Sequence, residues 1–175
     1  MMRLLIFCTA LALAARALDL PTVSLAAVPW SCSEGVTLAD GVLSLDGDPT
    51  GYRRATLTLP GEALAGRTFR FSVQALTQGM TQAKEVAYAS PKLKIINQAT
   101  NAVMAVNNFG TQERPQWTPV VVEVSVPKGH TAPITLEIGL QFCCGQFRAK
   151  DVSFVEVQPW RWRVLDGDHK SYFDK

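Results

Sequence analysis

Apolar and polar residues alternate with period two along most of the chain, the pattern of strands with one buried face. Val42, Leu43 and Leu45 lead into the turn Asp46-Gly47-Asp48-Pro49. Ala55, Leu57 and Leu59 alternate with Thr56 and Thr58 before Pro60-Gly61. Phe69, Phe71 and Val73 alternate with Arg70, Ser72 and Gln74, and Leu93 and Ile95 with Lys92 and Lys94. A weaker run covers 102–106. Val120, Val122, Val124 and Val126 alternate with Val121, Glu123 and Ser125 up to Pro127. Ile134, Leu136, Ile138 and Leu140 alternate with Thr135, Glu137, Gly139 and Gln141, and 151–157 close the series. These eight short strands with turn signals between them predict an all-β, two-sheet antiparallel sandwich.

The N-terminus breaks this pattern. Met1-Met2-Arg3 is followed by an apolar run over 4–15, too short to cross a bilayer. Ala15-Arg16-Ala17 then fits a small-x-small cleavage site. Residues 1–17 are therefore predicted to be a cleavable signal peptide and the protein to be exported. The sandwich domain is expected over 18–160, and 161–175 as a partly disordered tail. The chain has 17 basic and 15 acidic residues, a net charge of +2. The predicted leader holds Arg3 and Arg16 and no acid, so the remainder is neutral overall. That balance removes the electrostatic case for nucleic acid or an anionic membrane.

Export changes the reading of the four cysteines. Cys8 leaves with the leader, and Cys32 is expected to form a disulfide with Cys143 or Cys144. Closing so long a loop would contribute about 4–5 kcal/mol in the chain-entropy model. A vicinal Cys143–Cys144 bridge is the strained alternative. His130 and His169 have no metal-ligand spacing around them.

The order of these segments resembles the carbohydrate-binding modules of the galactose-binding-like jelly-roll class. The matching pieces are Trp30 and residues 41–47, 66–75, 117–127, 134–140 and 151–157. The resemblance implies a non-catalytic domain recognising a polysaccharide or glycan, with Trp30 and Trp117 packing at strand starts. It also implies structural calcium at two places. One of them reads as the mostly apolar stretch 21–29 here; the other reads Lys150-Asp151, leaving Asp151 as the one carboxylate of that pattern.

Jelly-roll connectivity would put the strands starting at 41, 68, 120 and 151 in one sheet, and those at 54, 92, 102 and 134 in the other. On the second sheet, parity turns Arg54, Thr56, Thr58, Lys92, Lys94, Thr135, Glu137 and Gln141 outward. Arg54, Lys94, Glu137 and Gln141 can exchange hydrogen bonds with sugar hydroxyls. Aromatic stacking partners are expected from loops: Tyr52, Tyr88 and Phe109. Tyr88 reads equally as a lid over the core.

Other functions are weighed on the same residues. A hairpin of 120–126 with 134–140 would oppose Glu123 and Glu137, a carboxylate pair suited to glycoside hydrolysis. Jelly-roll connectivity separates them instead. No Tyr, His, Arg and Gln set of a polysaccharide lyase stands out, and no nucleophile elbow, phosphate loop or zinc motif occurs. The expectation is a binding domain and not an enzyme. The rival class is a structural or protein-interaction sandwich, for which Trp160 and Trp162, on one face of an extended segment, would anchor a partner.

Overall fold

The computed structural model describes residues 28–83 and 88–157. Ten strands run in chain order: β1 Ser31–Cys32, β2 Val36–Ala39, β3 Val42–Asp46, β4 Tyr52–Leu59, β5 Thr68–Gln82, β6 Ser90–Asn97, β7 Ala102–Asn108, β8 Arg114–Ser125, β9 Ile134–Gln141 and β10 Cys143–Glu156. They form two five-stranded sheets, with the orders β1-β4-β9-β6-β7 and β2-β3-β10-β5-β8. Every pairing among these strands is antiparallel. This is a jelly-roll β-sandwich, and its partition of the longer strands is the one expected from the connectivity. The alternative 120–126/134–140 hairpin does not form: β8 pairs with β5, and β9 lies between β4 and β6.

Period two explains the layers. Leu43, Leu45, Ala55, Leu57, Phe71, Val73, Leu93, Ile95, Leu136, Ile138 and Phe147 are all buried between the sheets. Phe69 and Phe154 stack with ring centroids 4.9 Å apart. Burial of a large apolar side chain contributes about 1.5–3 kcal/mol, so this layer is the main favourable term.

The last strand departs from the expectation. β10 begins at Cys143 rather than near 151, because a bulge at 150–153 splits its alternation. Phe147 and Ala149 face the core before the bulge, Val152 and Phe154 after it, so the inward parity changes. Asp151 sits in that bulge with φ +50°. Two further strands are longer than their alternation suggested: β5 continues to Gln82, and β8 starts upstream of Pro115 and Pro119.

The disulfide expectation is corrected. Cys32, Cys143 and Cys144 are all free. Cys32 is exposed opposite Ala55 on the outermost strand of one sheet. Cys143 opens the central strand of the other, opposite Gln82, where it is buried and its Sγ–H donates to the Gln141 carbonyl at 3.1 Å. Cys144 lies next to it, opposite Thr81. Burial pushes both the Cys32 and Cys143 thiols up. The cross-link term of about 4–5 kcal/mol is accordingly absent from this fold.

Phe142 alone joins β9 to β10, with φ +49°, as the chain passes from one sheet to the other. Its N–H donates to the Gly51 carbonyl and its carbonyl accepts from the Ala83 N–H. The predicted signal peptide, the tail and the Trp160–Trp162 segment lie outside the described residues. Among the described residues no helix is long and apolar enough to cross a membrane.

Candidate functional site

The outward face of the β1-β4-β9-β6-β7 sheet carries the site. Three rungs cross it. Tyr52, Gln141 and Ser90 face one another on the first; Arg54, Gly139 and Lys92 on the second; Thr56, Glu137 and Lys94 on the third. Arg54, Thr56, Lys92, Lys94, Glu137 and Gln141 stand at the outward positions that parity predicts, and the register brings five of the six expected sugar-binding residues, Arg54, Lys94, Glu137, Gln141 and Tyr52, onto adjoining rungs.

Glu137 is the centre. Its side chain is 1% exposed although it points away from the core. The Tyr52 hydroxyl donates to its Oε1, and the Lys94 ammonium lies 3.0 Å from the same oxygen. Arg54 approaches Oε2 at 3.6 Å. A carboxylate this buried needs such partners, because an unpaired one would cost several kcal/mol. Lys94 also lies 4.7 Å from the Tyr52 ring centroid, a cation–π distance.

Tyr52 is placed differently from the expectation. It is not in a loop; it opens β4, and its ring lies against Gly139. A Cβ on residue 139 would stand 2.5 Å from the Tyr52 oxygen, so glycine leaves the slot for the ring. Burial, and then the Glu137 charge, push the Tyr52 phenol well above its ordinary range. Gly139→Ala should therefore displace Tyr52 and cost about 1–3 kcal/mol, read from the shift of the urea midpoint. An unchanged midpoint would mean that the ring position is not needed.

Lys92 is also 1% exposed. Its ammonium donates to the Gln141 Oε1 at 2.7 Å and to the Tyr88 carbonyl at 2.6 Å. Gln141 is thus a holder of Lys92. Burial and the neighbouring Lys94 lower the Lys92 pKa from 10.5 to about 8. Between those two values the unfolded chain binds the extra proton, so stability rises with pH from about 8 to about 10. Above pH 10 the raised Tyr52 acts the other way, because the unfolded phenol ionises first. In Lys92→Met the alkaline rise should disappear, as urea titrations across that window would show. The same rise in the variant would exclude Lys92 as its source.

The Tyr88 ring is 51% exposed and leans on Phe142, with centroids 6.0 Å apart. It is a ring on the surface beside the face, not a lid over the core. Phe109 is corrected as a stacking partner: its ring packs edge-on against buried Phe147 at 5.4 Å. Trp30 packs against the core, and Trp117 lies on β8 under the Lys150 ammonium at 4.6 Å.

Asp151 is exposed and its partner is Lys150, 3.9 Å away. No group of three His, Cys, Asp or Glu side chains that could hold a metal occurs among the described residues. Glu123 lies on β8 in the other sheet, paired with Arg70 at 2.7 Å, so it cannot act with Glu137.

A cleft of about 390 Å³ opens on the same face, toward β1. Arg54 and Glu137 line it together with Thr56, Thr58, Thr135 and Asn101. The β1 side of this cleft was missed by sequence reading. Ser31 and Ser33, on and just after the two-residue β1, give no alternation to read.

No protein-family model matches the chain, and no curated protein sequence does. Solved structures do share its shape. The CBM22-1 xylan-binding domain from Paenibacillus barcinonensis is 11% identical over 75% of this chain and 87% of its own, with a TM-score of 0.46. The module TmCBM61, solved with β-1,4-galactotriose, is 13% identical over 74% and 89%, with a TM-score of 0.47. A cyclase from Fischerella sp. TAU is 10% identical over 69% and 65%, also at 0.47. Function is argued from the side chains of the face itself.

Proposed function

We propose that this protein is an exported, non-catalytic carbohydrate-binding domain that holds a polysaccharide or glycan on the β4-β9-β6 face. The observation that carries the reading is the fixed Glu137 centre opening into a polar cleft. Tyr52, Lys94 and Arg54 hold the carboxylate, and hydroxyl and amide side chains line the space beside it. Sugars present rows of hydroxyls, and such a wall offers both donors and acceptors to them. Its volume lies in the range of small-ligand sites, roughly 300–1,000 Å³. Tyr88, exposed at the end of the face, is suited to stack on a sugar ring.

Catalysis by a carboxylate pair is disfavoured, because Glu137 is the one acid on the five strands of its sheet. No three His, Cys, Asp or Glu side chains cluster among the described residues, so binding is tested with and without calcium.

A glycan-array screen of the folded chain, with and without calcium, tests the proposal. Capture of a polysaccharide class that is lost in Arg54→Ala supports the face as the site. Loss only in Tyr88→Ala would move it to the end of the sheet. Silence across a broad array would end the carbohydrate reading and turn attention to protein partners.

A further inference from the structure

The charge on this face is lopsided. Its three rungs carry Arg54, Lys92 and Lys94 against the single carboxylate of Glu137. The fourth cation of the sheet, Arg53, is already paired with Asp48 at 3.1 Å. A surplus of two positive charges is therefore concentrated on one face of a chain that is neutral beyond its predicted leader.

The three cations are not equivalent. Lys94 is committed to Glu137, and Lys92 is buried against Gln141 and the Tyr88 carbonyl. Arg54 differs from both. Its side chain is 55% exposed, its one ion pair is the long contact of 3.6 Å to Glu137, and it lines the cleft. Glu137 is already occupied at Oε1 by Tyr52 and Lys94, so it cannot satisfy the whole guanidinium. A planar fork with free N–H groups is matched by an anionic group that accepts two parallel hydrogen bonds. No aromatic side chain lines the cleft, so the stacking that a neutral sugar ring favours has no partner there.

Resting on the carbohydrate-binding reading, we propose that the ligand is an acidic polysaccharide: a sugar unit bearing a carboxylate or sulfate pairs with Arg54, while its hydroxyls meet Thr56, Thr58, Thr135 and Asn101. The interaction is partly exposed, so salt must weaken it, whereas a neutral glycan held by hydroxyl contacts would be little affected.

The test is binding of the full chain to polygalacturonate, dextran sulfate, neutral galactan and neutral xylan, in low and in high salt. At least one anionic polymer should bind roughly ten- to a hundredfold tighter than both neutral ones at low salt. The stronger of the two anions tells carboxylate from sulfate. High salt and Arg54→Gln should each remove the preference, the variant retaining its circular dichroism. Arg70→Gln, on the other sheet, should keep it. Equal or tighter binding of a neutral polymer overturns the inference and leaves the carbohydrate reading intact. An acidic preference untouched by Arg54→Gln also overturns it. No binding to any polymer by a folded sample overturns both.

Discussion

Glu137→Ala is expected to lower stability by about 3–5 kcal/mol and to abolish ligand capture. The loss has three sources. The half-buried Tyr52 hydroxyl loses its acceptor. The Lys94 ammonium loses a counterion 3.0 Å away, and Arg54 loses its one ion pair. What remains is a cluster of three cations with no carboxylate on the sheet to offset them. Glu137→Gln keeps the shape and an acceptor but not the charge, so its cost should lie between wild type and Ala. Urea denaturation orders the three proteins. An alanine variant as stable as wild type would mean that Glu137 is not the anchor of the face. Few single changes are as costly, and those that are break a named buried network.

The second large effect falls at the opposite end of the argument, on backbone. Gly145→Ala should cost about 2–4 kcal/mol. Gly145 has φ +95°, a conformation that side chains rarely adopt. A Cβ there would also press on the Gly79 carbonyl and stand 2.6 Å from the Gln78 carbonyl. Both are main-chain atoms of β5 and cannot swing away. The register of β10 on β5 is irregular at this point, between Cys144 and Gln146, and glycine is what lets the strands approach there. A lowered urea midpoint with retained β-sheet circular dichroism is the expected result. A midpoint equal to wild type would show that the strands can separate locally at no cost.

The two effects also mark what alternation along a chain can and cannot disclose. Period two separates inward from outward residues, so Arg54, Lys94 and Glu137 could be placed on one face before any register was known. The same parity, carried two residues upstream, includes Tyr52. The turn residues 46–51 hid this, because they made the strand seem to start later. The burial of Lys92 was beyond reach: a lysine at an outward position normally reaches water. Here Gln141 and the Tyr88 carbonyl enclose it, and the Gln141 contact depends on strand order. Gly139 was the overlooked signal, since a glycine at an outward position between charged rungs leaves room for something to lie across it. The cysteines misled because the oxidising compartment was inferred before the geometry. Cys32 is exposed on an edge strand of one sheet, Cys143 is buried in the central strand of the other, and both are free. In β10, a residue in the left-handed region within a bulge shifts the period, which a count of alternate residues reads as a new strand.

The position of β10 has a consequence for how the molecule comes to exist. It is the last of the described strands in sequence and the middle strand of its sheet, lying between β3 and β5. Until the ribosome has released residue 156, β3 has β2 on one side and nothing on the other, and β5 has only β8. The buried faces of Phe69, Phe71 and Val73 lack the Phe147 and Phe154 layer during that interval. Pairing over such sequence separations is slow, and half-built sheets are prone to associate. Completion of this sheet thus waits until residues 143–156 have been made. A truncation that removes β10 should yield an aggregating polypeptide rather than a smaller sandwich.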